Sequence, residues 1–104
     1  MSQCLVYMTA ETADQARKIG RTLIEGRLAA CVNIVEGMRS LYWWQGKLEE
    51  GSETIVIAKT RETLVETLTA RVKEVHSYDC PCVVTLPITG GNPDFLAWID
   101  AETA

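Results

Sequence analysis

An α+β split β-α-β sandwich is the fold this sequence predicts: one antiparallel sheet, two helices on one of its faces, a long central β-hairpin and an extra C-terminal helix. Three observations lead there. The expected elements run β-α-β-β-α-β-α, so two β-α-β halves surround a central pair of strands. That pair, residues 31–60, CVNIVEGMRSLYWWQGKLEEGSETIVIAKT, reads as two arms around a Gln45-Gly46 turn, because glycine accepts φ > 0 cheaply. Thr54 to Ala58, T-I-V-I-A, is apolar on both faces of a strand, where one wet face would demand alternation. The face left open by the helices must therefore be covered, and another copy of the chain is the simplest cover.

The first strand is QCLVYMT at 3–9. Thr12 and Gln15 have capping-box spacing, a hydroxyl and an amide three residues apart. The helix behind them sets Ala16, Ile19, Gly20, Leu23 and Ile24 in one buried stripe, and Gly26 is expected to end it as a left-handed cap. The hairpin follows, with a bulge or kink expected at Glu50-Gly51-Ser52. Thr60 or Thr63 is expected to cap a second helix whose inner stripe is Leu64, Leu68, Val72 and Val75. Pro81 forbids continuation of that helix, and CVVTLPI at 82–88 is the fourth strand, with Pro87 marking an edge or an end. Asn92 as N-cap and Pro93 at the first helical position start the last helix, which carries Phe95, Leu96, Trp98 and Ile99.

A chain of 104 residues suits a single domain spanning 1–104. Its net charge of −4 argues against a general nucleic-acid binder, which needs a basic face for phosphates. No run of about 18 apolar residues is present, so no membrane span is expected. MSQCLVYMTAE lacks a basic segment followed by a long apolar one, so the expected location is cytoplasmic. Cys4, Cys31, Cys80 and Cys82 form no CxxC pair, which disfavours a thioredoxin-type site or a zinc ribbon.

Five stretches together carry a resemblance: RLAACVNI at 27–34, SLYWWQGKLE at 40–49, Lys59-Thr60, HSYDCP at 76–81 and PITGGNPDFLAWI at 87–99. In order and spacing they resemble CutA, the divalent-cation tolerance proteins, over essentially the whole chain. The resemblance implies a ferredoxin-like subunit and a tight homotrimer in which strands of neighbouring subunits pair. The assembly it implies is similar to PII-like signalling proteins. The role it implies is tolerance to divalent cations, copper above all.

Copper favours thiolate, thioether and imidazole ligands. His76 is the only histidine, at the end of the second helix, and the resemblance places a metal-linked histidine there. The same pattern has a cysteine and a second histidine where this chain has Met8 and Val75. Met8 can offer a thioether to Cu(I), whereas Val75 offers nothing. The alternative for His76 is a hydrogen-bonded helix-end residue. Cys80 and Cys82, two residues apart on an extended segment, point to one side and could hold a soft ion such as Cu(I), or one could be a small buried hydrophobe. Cys4 and Cys31 fit packed strand positions. Lys59, Glu53, Tyr42 and Trp44 lie on the hairpin, and the implied trimer would gather them with His76 and Tyr78 in an inter-subunit cleft. The alternative is that Lys59 and Glu53 are structural ion-pair partners. Trp43, Trp44 and Trp98 are expected as core or interface anchors. Gly90-Gly91-Asn92 lacks a full phosphate-binding pattern and reads as turn plus cap.

The function expected is that of a non-catalytic, trimeric factor in copper or other divalent-cation tolerance. The alternative is a PII-like regulator that binds a small metabolite or anion between subunits and signals to an unidentified protein partner. No nucleophile sits beside a base in the sequence, and a shared fold class cannot supply an activity, so an enzyme is not expected.

Overall fold

The computed structural model describes residues 2–104. The elements are β1 (Gln3–Ala10), α1 (Ala13–Glu25), β2 (Cys31–Trp44), β3 (Lys47–Arg61), α2 (Val65–Val75), β4 (Val83–Pro87) and α3 (Pro93–Glu102). In space the strands run β2-β3-β1-β4, and every neighbouring pair is antiparallel. β3 sits between β1 and β2, which splits the first β-α-β unit, and β1 splits the second. This is the ferredoxin-like arrangement.

Strand alternation decides the core. Cys4, Val6, Met8 and Ala10 of β1 and Val56 and Ala58 of β3 all face the helices. Ala16, Ile19 and Leu23 of α1 and Leu68 and Val72 of α2 close over them. Burying each of the larger side chains stabilises the fold by roughly 1.5–3 kcal/mol. Gly20 is small for a reason: a Cβ there would lie 3.1 Å from Val32 Cγ1, so the helix approaches β2 closely. The stripe is narrower than the spacing suggests, because Ile24 is exposed beside the edge strand β2.

Local signals at the helix ends hold in part. Thr12 Oγ1 accepts from the Gln15 N–H at 3.1 Å, as the capping box requires. The left-handed residue after α1 is Arg27, with φ of 59°, not Gly26. Leu28 N–H donates to Leu23 O and Arg27 N–H to Ile24 O, the paired bonds of a Schellman close, which shifts the cap one residue beyond the glycine. Neither Thr60 nor Thr63 caps α2. A 3-10 turn at Glu62–Leu64 leads into it, and the buried Thr60 hydroxyl donates instead to Leu28 O at 2.7 Å. Asn92 caps α3 through Asp94 N–H, and Pro93 takes the first helical position as expected. Only Ile99 of α3 is buried, while Phe95 and Trp98 stack at 5.4 Å near the surface.

The hairpin is the longest feature. β3 pairs with β1 only as far as Thr54, so residues 38–53 of the two arms project beyond the sheet as a two-stranded ribbon. Gln45 and Gly46 both have positive φ, 50° and 79°, which makes the turn expected there a type I′ turn. The bulge, however, is on the other arm. Val35 pairs with Ile55 and Met38 with Glu53, so Glu36 and Gly37 together oppose Thr54, while Glu50 to Ser52 pair without a break. Gly37 takes φ of 83°, the left-handed value such a bulge needs. Trp43 and Trp44 lie on the ribbon, 73% and 51% exposed, so neither is a core residue of the chain.

Candidate functional site: a cleft at the base of the hairpin

A cleft of about 710 Å³ opens where the ribbon leaves the sheet. Thr9 from β1, Tyr42 and Trp44 from β2, Glu53 from β3, and Tyr78 and Cys82 from the segment after α2 line it. The bulge creates this lining. Before it, Cys31, Asn33 and Val35 share the sheet face of Ile55, Ile57 and Lys59. After it the parity reverses, and Met38, Ser40, Tyr42 and Trp44 take that face, with Glu53 opposite Met38.

The segment after α2 is stapled into place. His76 Nδ1 accepts from the Tyr78 N–H at 3.0 Å, so the ring's proton is on Nε2, which donates to Thr9 O at 2.8 Å. The rings of His76 and Tyr78 pack at a tilt of 44° with centroids 4.8 Å apart. Tyr78 Oη–H then donates to Glu53 Oε2 at 2.9 Å, tying the segment to the hairpin. Burial pushes the Tyr78 phenol well up, and the hydrogen bond and charge of Glu53 add to this. Burial, then the Glu53 charge, also raises the Cys82 thiol. The cleft therefore has aromatic walls, one hydrogen-bonded carboxylate and two cysteine residues, Cys80 and Cys82, neither in a disulfide.

Four of the five residues expected in a ligand cleft, Glu53, Tyr42, Trp44 and Tyr78, meet here. Lys59 does not. It lies six residues along β3 from Glu53, roughly 20 Å at the rise of an extended strand. Its ammonium donates to Asn33 Oδ1 and lies 3.7 Å from Cys31 Sγ, its cross-strand partner. Lys59 and Glu53 are thus not partners of one another, and Cys31 is half-buried on the open face, not in the core. Of the four metal candidates, Met8 is removed from solvent: it is 0% exposed, on the helix side of β1, where alternation with Val6 and Ala10 puts it. His76 has both ring nitrogens engaged. Among the described residues, no three His, Cys, Asp or Glu side chains lie together as an ion site. The predicted set His76, Met8, Cys80 and Cys82 does not fit a resident metal ion within one chain. Sequence reasoning missed Thr9, whose carbonyl anchors His76; a backbone acceptor leaves no residue-type signal.

Fold and cleft together define the class: a ferredoxin-like sandwich with an over-long hairpin and an aromatic-carboxylate cleft at its base. The CutA1 divalent ion tolerance protein family matches residues 4–102. A chloroplastic CutA protein of Oryza sativa is 44% identical over 99 residues, covering 95% of this chain and 56% of its own length. The crystal structure of CutA1 from Oryza sativa superposes with a TM-score of 0.97 at 42% identity, covering 100% of this chain and 95% of that one. The periplasmic divalent cation tolerance protein CutA of Archaeoglobus fulgidus superposes at 0.93 with 40% identity, covering 96% and 97%. The chain belongs to the CutA1 divalent ion tolerance protein family. It spans little more than half of its two plant relatives, 56% of the rice protein and 54% of that from Arabidopsis thaliana. The cytoplasmic location expected from the N-terminus is overturned: relatives of this fold are chloroplastic in plants and periplasmic in Archaeoglobus.

Proposed function

We propose that this chain is a non-catalytic divalent-cation tolerance protein that works as a homotrimer and binds its ligand in the cleft at the hairpin base, copper being the cation its side chains suit best. The observation that carries the reading is the convergence of Tyr42, Trp44, Glu53, Tyr78, Cys80 and Cys82 on one cleft. Convergent polar groups in an aromatic cavity are the usual mark of a binding site. Assembly is supported by the face the helices leave bare. Leu5, Tyr7, Ile55 and Ile57 are only half-buried there, and Val84 and Leu86 on the edge strand β4 are each 52% exposed. A continuous apolar face of this kind marks an interaction surface.

Sedimentation equilibrium tests the assembly. The expected mass is that of a trimer, and Leu86→Glu, which sets a charge on the bare face, is expected to reduce it to a single chain. A wild-type protein that sediments as one chain sinks the proposal. The second reading is a PII-like regulator with a metabolite in the same cleft and a protein partner downstream. Glu53 and Asp79, set against Arg39, which is itself paired with Glu50, favour a neutral or cationic metabolite over an anion. A thermal-shift screen of divalent cations against small metabolites separates the two, since a ligand bound only by the folded protein raises the melting temperature.

A further inference from the structure

We infer that Cys80 and Cys82 form a two-thiolate site for a soft monovalent cation, Cu(I) or Ag(I), in the wall of the cleft. Both residues line the same cavity and both are free thiols, Cys80 exposed and Cys82 half-buried. Pro81 between them has its φ fixed and biases Cys80 toward extended backbone, which limits the arrangements of the two sulfurs. The segment that carries them is held at both ends. His76 and Tyr78 staple it to Thr9 and Glu53 at 2.8 and 2.9 Å. On the other side β4 begins at Val83, paired with Met8 of β1. A dithiol held this way loses little freedom when it closes on an ion.

The donor count selects the ion. Zinc, calcium and magnesium require four to eight ligands, and the described residues offer no cluster of even three. A d10 monovalent ion is satisfied by two thiolates in line, and thiolate sulfur is the donor it prefers. Each S–H bond is replaced by a bond to the metal: one Cu(I) and two thiols give one dithiolate complex, and two protons leave to solvent. No electron is transferred. The thiols must lose their protons beside Glu53 of β3, Tyr42 of β2 and their own neighbours Tyr78 and Asp79, with Arg39 of β2, itself paired with Glu50, the one cation among the described lining residues, and the bound ion offsets the charge that results. Affinity therefore rises with pH. The inference deepens the cleft reading above by naming the ion class, and it needs no second copy of the chain.

Full-length reduced protein is titrated with Ag(I), and with Cu(I) delivered from a coloured chelator, while released protons are counted. One ion per chain and two protons per ion are expected, with the one-to-one binding lost in Cys80→Ser and in Cys82→Ser. Cys80 is exposed, so its variant keeps the fold even where Cys82→Ser perturbs it, and melting curves check both. Zn(II) is expected not to compete. One-to-one binding retained in the Cys80→Ser/Cys82→Ser double variant, or displacement by Zn(II), overturns the site. The two proposals fail separately: a single-chain protein with one Cu(I) overturns the trimer alone, and a trimer without the Cu(I) site overturns the dithiol alone.

Discussion

The two faces of the sheet start from similar sequence and end differently. On the helix side Val6, Met8, Val56, Leu68 and Val72 are all 0% exposed. On the other side Val84 and Leu86 are 52% exposed, and where the ribbon continues that face Tyr42 and Trp44 reach 46% and 51%. β-branched and large apolar residues occupy both faces, so side-chain chemistry does not separate them. Coverage does: the two crossover helices, α1 and α2, both went to one side, as the connections of a split β-α-β unit require. The lesson is that a T-I-V-I-A strand can report more burial than the single chain supplies: Val56 is closed over, while Ile55 and Ile57 are only half-buried.

Substitutions break this comparison in order of size. Leu68→Ala, on the closed face, should cost about 2–5 kcal/mol in chemical denaturation, because a wholly buried side chain leaves a cavity that packing closes only partly. Tyr78→Phe, at the seam between the faces, should cost roughly 1–2 kcal/mol through the lost bond to Glu53. The same phenol sets a pH dependence. Its folded value is raised above the ordinary 10.0, first by burial and then by Glu53, so its contribution is intact below pH 10.0 and is lost as pH rises above it. Denaturation midpoints of the wild type should fall above that pH, and those of Tyr78→Phe should fall less. Trp43→Ser, at 73% exposure, should change stability by no more than about 0.5 kcal/mol in the single-chain Leu86→Glu background. A loss above 1 kcal/mol there, judged against the ordinary surface range, would show that the ribbon packs within the chain after all.

The element order was readable because period-2 and period-3.6 patterns alternate cleanly between turn residues. Glu53, Tyr42, Trp44 and Tyr78 were singled out for a cleft between subunits; in the single chain they line one cavity together with Thr9, Arg39, Ser40, Leu41 and Asp79, which were not singled out. What could not be read turns on pairing. Gly37 and Gly51 are equally good bulge residues in isolation, and only the register between arms assigns the extra residue to β2. Gly26 was the better left-handed candidate than Arg27, but the Leu28 N–H bond to Leu23 O decided the cap. Two misplacements were avoidable. Alternation with Cys4, Val6 and Ala10 already put Met8 inside, and six extended residues already separated Lys59 from Glu53.

The inserted residue at Glu36-Gly37 makes the ribbon a separately tunable part. The sheet proper is registered by residues 31–35 of β2, before the bulge, and the cleft by residues 38–44, after it. Taking out the extra residue would leave one residue opposite Thr54 and Met38 still opposite Glu53, so the ribbon would keep its partners and its faces and lose only the kink and added twist of the bulge. The bulge therefore sets the angle at which the ribbon leaves the sheet, at a place where the core pairings do not register the edit.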